Sequence, residues 1–339
     1  MSENTTMNTQ PLLKVEHLKK YYEIPSKKLF DRSVRYLKAA DDVSFEINQG
    51  ETFALVGESG CGKTTVGKTI LRLQEPTGGK AFFKGENIFE LNKETFLKRR
   101  QKMQMIFQDP FSSLNPRMTI YDSVADVMKI HNLYSGDALD KRVYELLGMV
   151  GLPSWLAKRY PHEFSGGQLQ RACIARALAL DPDFIVCDEP VSALDVSIQS
   201  QVLNLMSDIQ KEVGVSYLFI SHGLPAVRYI SHRIGVMYMG KLVEVAESDK
   251  LFEKPLHPYT QALIAAVPIP DPDLRKERKL LEGEVTSPID PPDGCRFCSR
   301  CPYATDICKQ VSPELEDMGG DHLAACHNLS SMEQDPKAQ

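Results

Sequence analysis

The chain has 339 residues, enough for two or three domains, and its 42% hydrophobic and 25% charged residues are ordinary for a globular protein. With 40 basic against 45 acidic residues, the net charge of −5 gives no support to broad nucleic-acid binding. No apolar run approaches the roughly 18 residues of a membrane span, and the polar residues 1–10 show no signal-peptide pattern. We therefore expect a cytosolic chain whose eight cysteines are reduced.

The first third of the chain is predicted to alternate strands with turns. Residues 23–40 are mixed and basic and are expected to form a loop insertion. A charged helical face is expected over 93–102, followed by a buried strand at 103–107. The other expected elements here are strands at 12–22, 43–47, 52–56 and 81–83 and a helix at 65–72.

The middle of the chain is richer in helical patterns. Apolar residues recur at helical spacing from about 116 to 163, and further helices are predicted at 166–180 and 198–213. Continuous apolar runs at 184–187 and 217–220 are typical of parallel strands covered on both faces. Strands that alternate with helices favour a mostly parallel α/β sheet.

A glycine-rich stretch follows the apolar strand 52–56. It fits the pattern G-x-x-x-x-G-K-[ST], and its residues are Gly57, Glu58, Ser59, Gly60, Cys61, Gly62, Lys63, Thr64 and Thr65. Glycines let consecutive N–H groups turn inward around phosphate oxygens, and a helix that begins here offers further free N–H groups. Lys63 supplies charge for the terminal phosphates and Thr64 a hydroxyl for Mg²⁺. The stretch predicts a nucleotide-phosphate site.

Two further segments carry chemistry. Asp188 and Glu189 end the strand 184–187, where Asp188 can hold Mg²⁺, usually through water, and Glu189 can orient or deprotonate an attacking water. Ser165, Gly166, Gly167 and Gln168 open the helix predicted over 166–180. A capping hydroxyl and free N–H groups make this helix start a second possible anion-binding site.

In this order, the segments resemble the nucleotide-binding subunit of an ABC transporter. The family's set continues with Gln108 after a strand, His222 and a D-loop, whose residues here are Ser192, Ala193, Leu194 and Asp195. The resemblance spans about 12–250. It implies an α/β fold: a P-loop NTPase (RecA-like) core with an antiparallel β subdomain and an inserted helical signature subdomain, plus a small Cys-rich C-terminal extension.

The resemblance also implies the domain limits. An ABC ATPase domain is expected at 12–253, with the helical subdomain inserted at about 109–166. The extension is expected at 254–330. The tails 1–11 and 331–339 are expected to be flexible.

Roles on the nucleotide side follow from the same resemblance. Tyr22 would stack on adenine, ahead of Tyr21 and Tyr36. Mg²⁺ would be held through Thr64, Gln108 and Asp188.

Catalytic and partner-facing roles are implied as well. Glu189 would be the general base, His222 would contact the γ-phosphate beside Lys63, and Gln108 would also touch the attacking water and signal to the membrane subunit. The signature 165–168 would meet the nucleotide held by the opposite subunit, so that hydrolysis is tied to dimer closure. The chain departs from the family pattern at Phe164, often Leu, and at Gly223, commonly Asp, and the glycine predicts a looser loop around His222.

The C-terminal segment is rich in cysteine. Cys295, Cys298, Cys301, Cys308 and Cys326 lie there with His322 and His327. Clustered thiols in a reducing compartment suggest a metal or iron–sulfur centre. The pattern resembles the C-terminal extension of oligopeptide/dipeptide importer ATPases, which implies a [4Fe–4S] cluster on Cys295, Cys301, Cys308 and Cys326. Zinc, with His322 or His327, and metal-free thiols stay open as alternatives. Cys298 is an extra thiol that also completes a C-x₂-C-x₂-C run.

The stretch 257–263 (HPYTQAL) resembles the HPYTxxL segment of peptide and nickel importer ATPases, and the insertion at 23–36 resembles the F-type subunit. The implied function is ATP hydrolysis that energises di- or oligopeptide import from the cytoplasmic face of the cell membrane. The implied partners are a second ATPase subunit, a paralogue in a heterodimer, two transmembrane permease subunits and, indirectly, an extracytoplasmic peptide-binding protein.

Other functions are open at this point. The chain could serve an importer of nickel or another small solute, a soluble ABC ATPase of ribosomes or DNA repair, or a non-catalytic regulatory cassette. One phosphate loop with one signature disfavours the ribosome type, and the lack of long heptad runs disfavours the repair type. Intact Lys63, Asp188, Glu189 and His222 disfavour a non-catalytic role.

Overall fold

A computed structural model describes residues 10–25, 34–267 and 287–329, and its strands form two sheets. The smaller sheet is antiparallel throughout. In spatial order its strands are β2 (Val34–Ile47), β1 (Leu13–Pro25), β4 (Gly78–Phe83) and β5 (Glu86–Asn87).

The larger sheet holds the phosphate-loop strand. Its five neighbouring strands from β9 to β6 pair in parallel, and the strands beyond β9 pair antiparallel. In spatial order the strands are β11 (Glu316–Asp317), β12 (Leu323–Ala324), β10 (Lys241–Glu247), β9 (Arg233–Tyr238), β3 (Thr52–Val56), β8 (Ser216–Ile220), β7 (Phe184–Asp188) and β6 (Met103–Ile106). Because β12 pairs with β10, the C-terminal segment extends the same sheet.

Helices surround these sheets. Their bounds are α1 (Lys63–Ile70), α2 (Lys93–Arg100), α3 (Pro110–Ser113), α4 (Ile120–Ile130), α5 (Gly136–Met149), α6 (Gly166–Leu178), α7 (Val196–Val213), α8 (Leu224–Ile230), α9 (Ser248–Glu253), α10 (Pro258–Ala265) and α11 (Asp306–Gln310), with 3₁₀ turns at Ser154–Leu156, Pro161–Glu163 and Cys298–Arg300. Between β6 and β7 the regular elements are all helices and 3₁₀ turns. No helix within the described ranges is both long and apolar enough to cross a membrane.

Burial explains why the apolar runs became central strands. Every residue of β3, β7 and β8 is buried, as expected for parallel strands covered on both faces. One hydrophobic cluster joins this sheet to α1 and the antiparallel sheet, and another joins its opposite side to the helices between 114 and 178. The sheet thereby fixes the positions of the loops at its strand ends.

The loop insertion expected at 23–40 is wrong for most of its length. β1 runs to Pro25 and β2 starts at Val34, with Tyr22 opposite Leu37 and Ile24 opposite Arg35. Charged residues mask the two-residue period of these strands, and cross-strand pairing stabilises them all the same. Residues 26–33 lie outside the described residues, as do 1–9 and 331–339 of the expected tails and 268–286 and 330 of the expected extension.

Candidate functional site

The phosphate loop lies between β3 and α1. Gly57, Gly60 and Gly62 adopt φ values of +150°, +79° and +108°, which favour glycine. A Cβ on Gly62 would lie 1.8 Å from the Ala39 carbonyl oxygen, so a side chain cannot fit there. Gly62 caps α1 without a side-chain hydrogen bond to its first turn. A helix start of this kind fits an anion, and the loop therefore fits the phosphates of a nucleotide.

Lys63 points back into the loop. Its Nζ donates to the carbonyl oxygens of Gly57 at 2.8 Å and Glu58 at 3.0 Å, and the side chain is buried. The ammonium therefore already lies at the mouth of the cradle. Phosphate oxygens can replace these carbonyl oxygens as acceptors for the ammonium group.

Thr64 and Asp188 meet beside the loop. The Thr64 hydroxyl donates to Asp188 Oδ1 at 2.6 Å. Burial raises the pKa of Asp188, and the Thr64 hydrogen bond and the charge of Lys68 oppose that rise. A hydroxyl and a buried carboxylate are oxygen ligands of the kind that Mg²⁺ prefers. This pair fits the expected magnesium site.

The Glu189 carboxylate contacts the side chains of two other predicted site residues, Gln108 and His222. Its Oε2 accepts from Gln108 Nε2 at 2.9 Å, and its Oε1 lies 3.1 Å from His222 Nδ1. Glu189 adopts φ of +48°, unusual for a non-glycine residue, and its N–H donates to the Ile220 carbonyl oxygen at 2.8 Å. Such backbone strain is concentrated at functional sites. The structure thus brings Gln108, Glu189 and His222 together at the carboxyl ends of the parallel strands.

The loop after His222 is ordered by its own hydrogen bond. The N–H of Gly223 donates to Ser221 Oγ at 3.0 Å, and Gly223 precedes α8 with an ordinary φ of −84°. With glycine in place of the common aspartate, the His222 side chain still contacts Glu189.

The signature forms a capping box at the start of α6. Gln168 N–H donates to Ser165 Oγ at 3.3 Å, and Ser165 N–H donates to Gln168 Oε1 at 3.0 Å. Ser165 is exposed, whereas a Cβ on Gly167 would lie 2.4 Å from Ile198 Cγ2 of α7. A Cβ on Gly166 would lie 3.5 Å from Leu194 Cδ2, an ordinary contact distance. The signature therefore exposes its serine and packs Gly167 tightly against α7.

The D-loop connects Glu189 to α7. The Ser192 hydroxyl donates to the Glu189 carbonyl oxygen at 3.0 Å, and the Asp195 carboxylate caps α7 through the Ile198 N–H at 3.0 Å. Ala193 is exposed between them. The D-loop is thus held at both ends, and the middle is open to solvent in this chain.

The tyrosines expected near adenine lie on the antiparallel sheet. The Tyr22 hydroxyl donates to Gln74 Oε1 at 2.5 Å, beyond the end of α1. Tyr21 on the opposite face of β1 donates to Asp41, and Tyr36 is exposed. These contacts place Tyr22 on the side of the sheet that faces the segment after α1.

The cysteines of the C-terminal segment lie near one another. Burial raises the pKa of Cys295 to about 12 and that of Cys301 to about 11, and both shifts are increased by Cys308 and Cys326. Cys295 N–H donates to the Cys308 carbonyl oxygen at 2.7 Å. The thiols suit iron or zinc, but no group of three or more His, Cys, Asp or Glu side chains in the described ranges is spaced to hold a metal ion.

Sequence reasoning missed contacts that side chains beyond residue 254 make with the phosphate loop and with residues near it. Arg300 Nη1 lies 3.0 Å from Glu58 Oε2, and the Glu58 N–H donates to the Tyr259 hydroxyl at 2.9 Å. Arg296 bonds Asp41 and the Met239 carbonyl oxygen. Apart from the HPYTxxL resemblance around Tyr259, no local sequence signal marks these residues.

Fold and site together define a P-loop ATPase of the ATP-binding cassette class. The family model described as ABC transporter matches residues 40–192, and the model described as oligopeptide/dipeptide transporter, C-terminal region, matches 243–308. The chain belongs to the ABC transporter family, among the ATP-binding proteins that carry the oligopeptide/dipeptide transporter C-terminal region. It is an ATPase whose hydrolysis is coupled to transport.

Several relatives match the chain over nearly its whole length. The oligopeptide transport ATP-binding protein AppF of Bacillus subtilis is 50% identical, over 96% of this chain and 100% of its own length. A putative oligopeptide transport ATP-binding protein of the same organism, YkfD, is 49% identical over 98% of this chain and 100% of its own. A putative peptide import ATP-binding protein of Brucella ovis is 48% identical over 94% and 98%.

Solved structures match the cassette. The ATP-binding cassette MJ0796, in a dimeric post-hydrolysis state with ADP and Pi, is 28% identical with a TM-score of 0.61, over 70% of this chain and 98% of that one. The cbiO1 protein of Clostridium perfringens, part of the transporter complex cbiONQ, is 26% identical with a TM-score of 0.62, over 73% and 92%.

Proposed function

We propose that this chain is the subunit that binds and hydrolyses ATP to energise import of di- or oligopeptides through an ABC transporter. The observation that carries the proposal is the union, in one chain, of an ABC cassette at 40–192 with a peptide-transporter C-terminal region at 243–308. Relatives named for oligopeptide transport or peptide import share about half of the residues over nearly the full length.

The nucleotide would lie along the phosphate loop. Tyr22 would stack on adenine, the loop N–H groups would receive the phosphates, and Lys63 would move from the loop carbonyls to the terminal phosphates. Thr64, Asp188 and Gln108 are the residues that would hold Mg²⁺. The ion, when bound, would neutralise charge on the phosphate oxygens.

Glu189 would take the proton of the attacking water. Gln108 and His222 each hold one of its carboxylate oxygens, at 2.9 Å and 3.1 Å, so that the base is oriented before the reaction. His222, besides holding Glu189, would also contact the γ-phosphate. Because Gln108 contacts the base directly, its displacement by a membrane subunit would change hydrolysis.

A second cassette would complete the site. Exposed Ser165 and the N–H groups of Gly166 and Gly167 lie at a helix start suited to an anion, and we propose that the signature, with Gln168, meets the ATP held by a paralogous subunit. The D-loop 192–195 would lie at the same contact. Two permease subunits would bind this pair at the cytoplasmic face of the membrane, and an extracytoplasmic binding protein would deliver the peptide.

The four thiols of Cys295, Cys301, Cys308 and Cys326 are proposed to hold a [4Fe–4S] cluster, with Zn²⁺ as the alternative. Their common segment and their removal from solvent support this proposal, since Cys308 is buried and the other three are partly buried. Iron and acid-labile sulfide analysis of anaerobically purified protein tests it. Cys301→Ser should lose the iron and Cys298→Ser should keep it; wild-type protein without iron or zinc would contradict the proposal.

Reconstituted transport tests the proposed function as a whole. The chain, its paralogous ATPase, the permease pair and the binding protein are placed in liposomes, and uptake of labelled di-, tri- and pentapeptides is followed with nickel as the comparison. We expect ATP-dependent uptake of at least one peptide class and none of nickel. Nickel uptake without peptide uptake, or co-purification with ribosomes or DNA in place of permease subunits, would contradict peptide import.

A further inference from the structure

The cysteine-bearing segment lies directly on the phosphate loop. Arg300, next to Cys301, places Nη1 at 3.1 and 3.0 Å from the two carboxylate oxygens of Glu58, and at 3.4 Å from the Tyr238 hydroxyl. The Arg300 side chain is only 8% exposed, and that of Glu58 is 30% exposed. An ion pair this buried is worth more than a pair in water, because solvent screens it less.

Glu58 is the second residue of the loop and is held at three points. Its N–H donates to the Tyr259 hydroxyl at 2.9 Å, and its carbonyl oxygen accepts from Lys63 Nζ at 3.0 Å. Its carboxylate is held by Arg300. Glu58, whose carbonyl oxygen accepts from Lys63, is therefore held by the side chains of Tyr259 and Arg300, which both follow the cassette in sequence.

The charge of Glu58 raises an electrostatic problem. A carboxylate in the phosphate loop repels the negatively charged phosphates of a nucleotide. A guanidinium within 3.1 Å of both carboxylate oxygens cancels that charge locally.

We propose that Arg300 is a positioning residue that lowers the apparent KM for MgATP by neutralising Glu58 and fixing it in the loop. The inference rests on the proposed function, since it concerns ATP at this loop. Arg300 acts only through Glu58. It follows that the cysteine-bearing extension and nucleotide binding are energetically linked, and that each stabilises the other.

The test is a double-mutant cycle in the reconstituted transporter, with hydrolysis measured against MgATP concentration at low salt. Arg300→Gln leaves the Glu58 charge unpaired and should raise KM about tenfold, which corresponds to about 1.4 kcal/mol, with kcat nearly unchanged. Glu58→Gln alone removes the charge that repels the phosphates, so its KM should lie well below that of Arg300→Gln. The Glu58→Gln/Arg300→Gln double variant should recover most of the lost affinity, because both charges are gone.

Further variants separate an effect of Arg300 on Glu58 from a general effect on folding. Arg300→Lys keeps the charge and should fall between wild type and Arg300→Gln. Arg99→Gln removes the same side chain from a surface pair with Glu86, at 2.8 Å, and should leave KM unchanged. The KM difference of Arg300→Gln should shrink as salt is raised, since ions screen the unpaired carboxylate.

Two outcomes would overturn the inference. One is an unchanged KM in Arg300→Gln, and the other is a double variant as impaired as the single one. Should Arg300→Gln fail to fold, a wild-type KM in Arg300→Lys would still contradict it. A wild-type complex without MgATP hydrolysis would instead overturn the proposed function, so the two failures are distinct.

Discussion

The hydroxyl of Thr64 and the carboxylate of Asp188 share a hydrogen bond of 2.6 Å although 124 positions separate them in the chain. They meet because β7 ends beside the start of α1, through parallel pairing of β7 with β8 and of β8 with β3. The pair brings a helix start, a hydroxyl and a buried carboxylate into one place. This convergence is what makes the loop a site for a metal–nucleotide complex rather than for a bare anion.

Asp188→Asn should abolish magnesium-dependent hydrolysis. The amide keeps the shape of the side chain but loses the charge that a divalent cation requires, so we expect kcat to fall at least about 100-fold. ATPase activity measured against Mg²⁺ concentration checks this. Asp183→Asn, at a surface pair with Lys84 at the start of the same strand, is the control and should retain activity. Equal activity in both variants would show that Asp188 does not hold the metal ion.

Glu189→Gln should separate binding from hydrolysis. The amide can still contact Gln108 and His222, but it cannot take a proton from water. We expect steady-state hydrolysis to drop about 10²- to 10⁴-fold while ATP affinity stays within about threefold. Equilibrium ATP binding and single-turnover hydrolysis measure the two parts. Glu212→Gln, at an exposed position of α7, should change neither, and rapid turnover in Glu189→Gln would rule out Glu189 as the base.

Gly62→Ala should abolish nucleotide binding. The new methyl group would lie 1.8 Å from the Ala39 carbonyl oxygen, at a φ of +108° that alanine rarely adopts, so the loop must shift. Gly148→Ala is the matched control in helix α5, since a Cβ there would have no atom within 4 Å apart from its chain neighbours and the backbone of its own helix. There we expect wild-type ATP binding and a gain of up to about 1 kcal/mol in stability. Calorimetric ATP titration and thermal unfolding distinguish the two; wild-type binding by Gly62→Ala would show that the loop tolerates a side chain.

The motif residues of the site could be predicted because their geometry is local or is imposed by the sheet. The phosphate loop needs only its own glycines and the strand before it. Asp188 ends a buried strand and His222 comes shortly after another, and the carboxyl ends of neighbouring parallel strands meet at one edge. Apolar runs such as 184–187 mark those strands in the sequence.

The rest depends on contacts between distant segments. Arg300 pairs with Glu58 across 242 positions, and Tyr259 meets the same residue across 201. No strand is predicted over 233–247, where β10 carries Glu244 at a fully buried position and so breaks the usual alternation. Only the assembled fold supplies the donors that let this carboxylate be buried.

Glu244→Gln should loosen the C-terminal segment. The Glu244 carboxylate accepts from the N–H groups of Leu256 at 2.8 Å and His257 at 2.9 Å, and lies 2.7 Å from His322 Nε2. An amide NH₂ would face one of these donors and leave it unpaired, at a cost of about 1–3 kcal/mol. Denaturant unfolding and protease cleavage after β10 check this. Glu253→Gln, at an exposed carboxylate, should match wild type, and equal protease resistance in Glu244→Gln would show that this carboxylate does not hold the segment.

His257 should make the fold sensitive to acid. Burial lowers the pKa of His257 from 6.5 to about 4, against the opposing effect of Glu244. The native state therefore keeps this ring neutral, while the unfolded chain protonates it below pH 6.5. Because the unfolded state binds the extra proton, stability is full above pH 6.5 and declines as the pH falls towards 4.

A comparison with His257→Asn isolates this titration. In wild type, the Tyr259 N–H donates to His257 Nδ1 at 3.1 Å and so caps α10. Asparagine can accept the same hydrogen bond, but its side chain does not titrate. The stability advantage of wild type over His257→Asn should therefore shrink by about 2 kcal/mol between pH 7 and about pH 5, measured by urea unfolding. The exposed His162→Asn should show no such convergence. Parallel stability curves for wild type and His257→Asn would mean that His257 is not kept neutral by its burial.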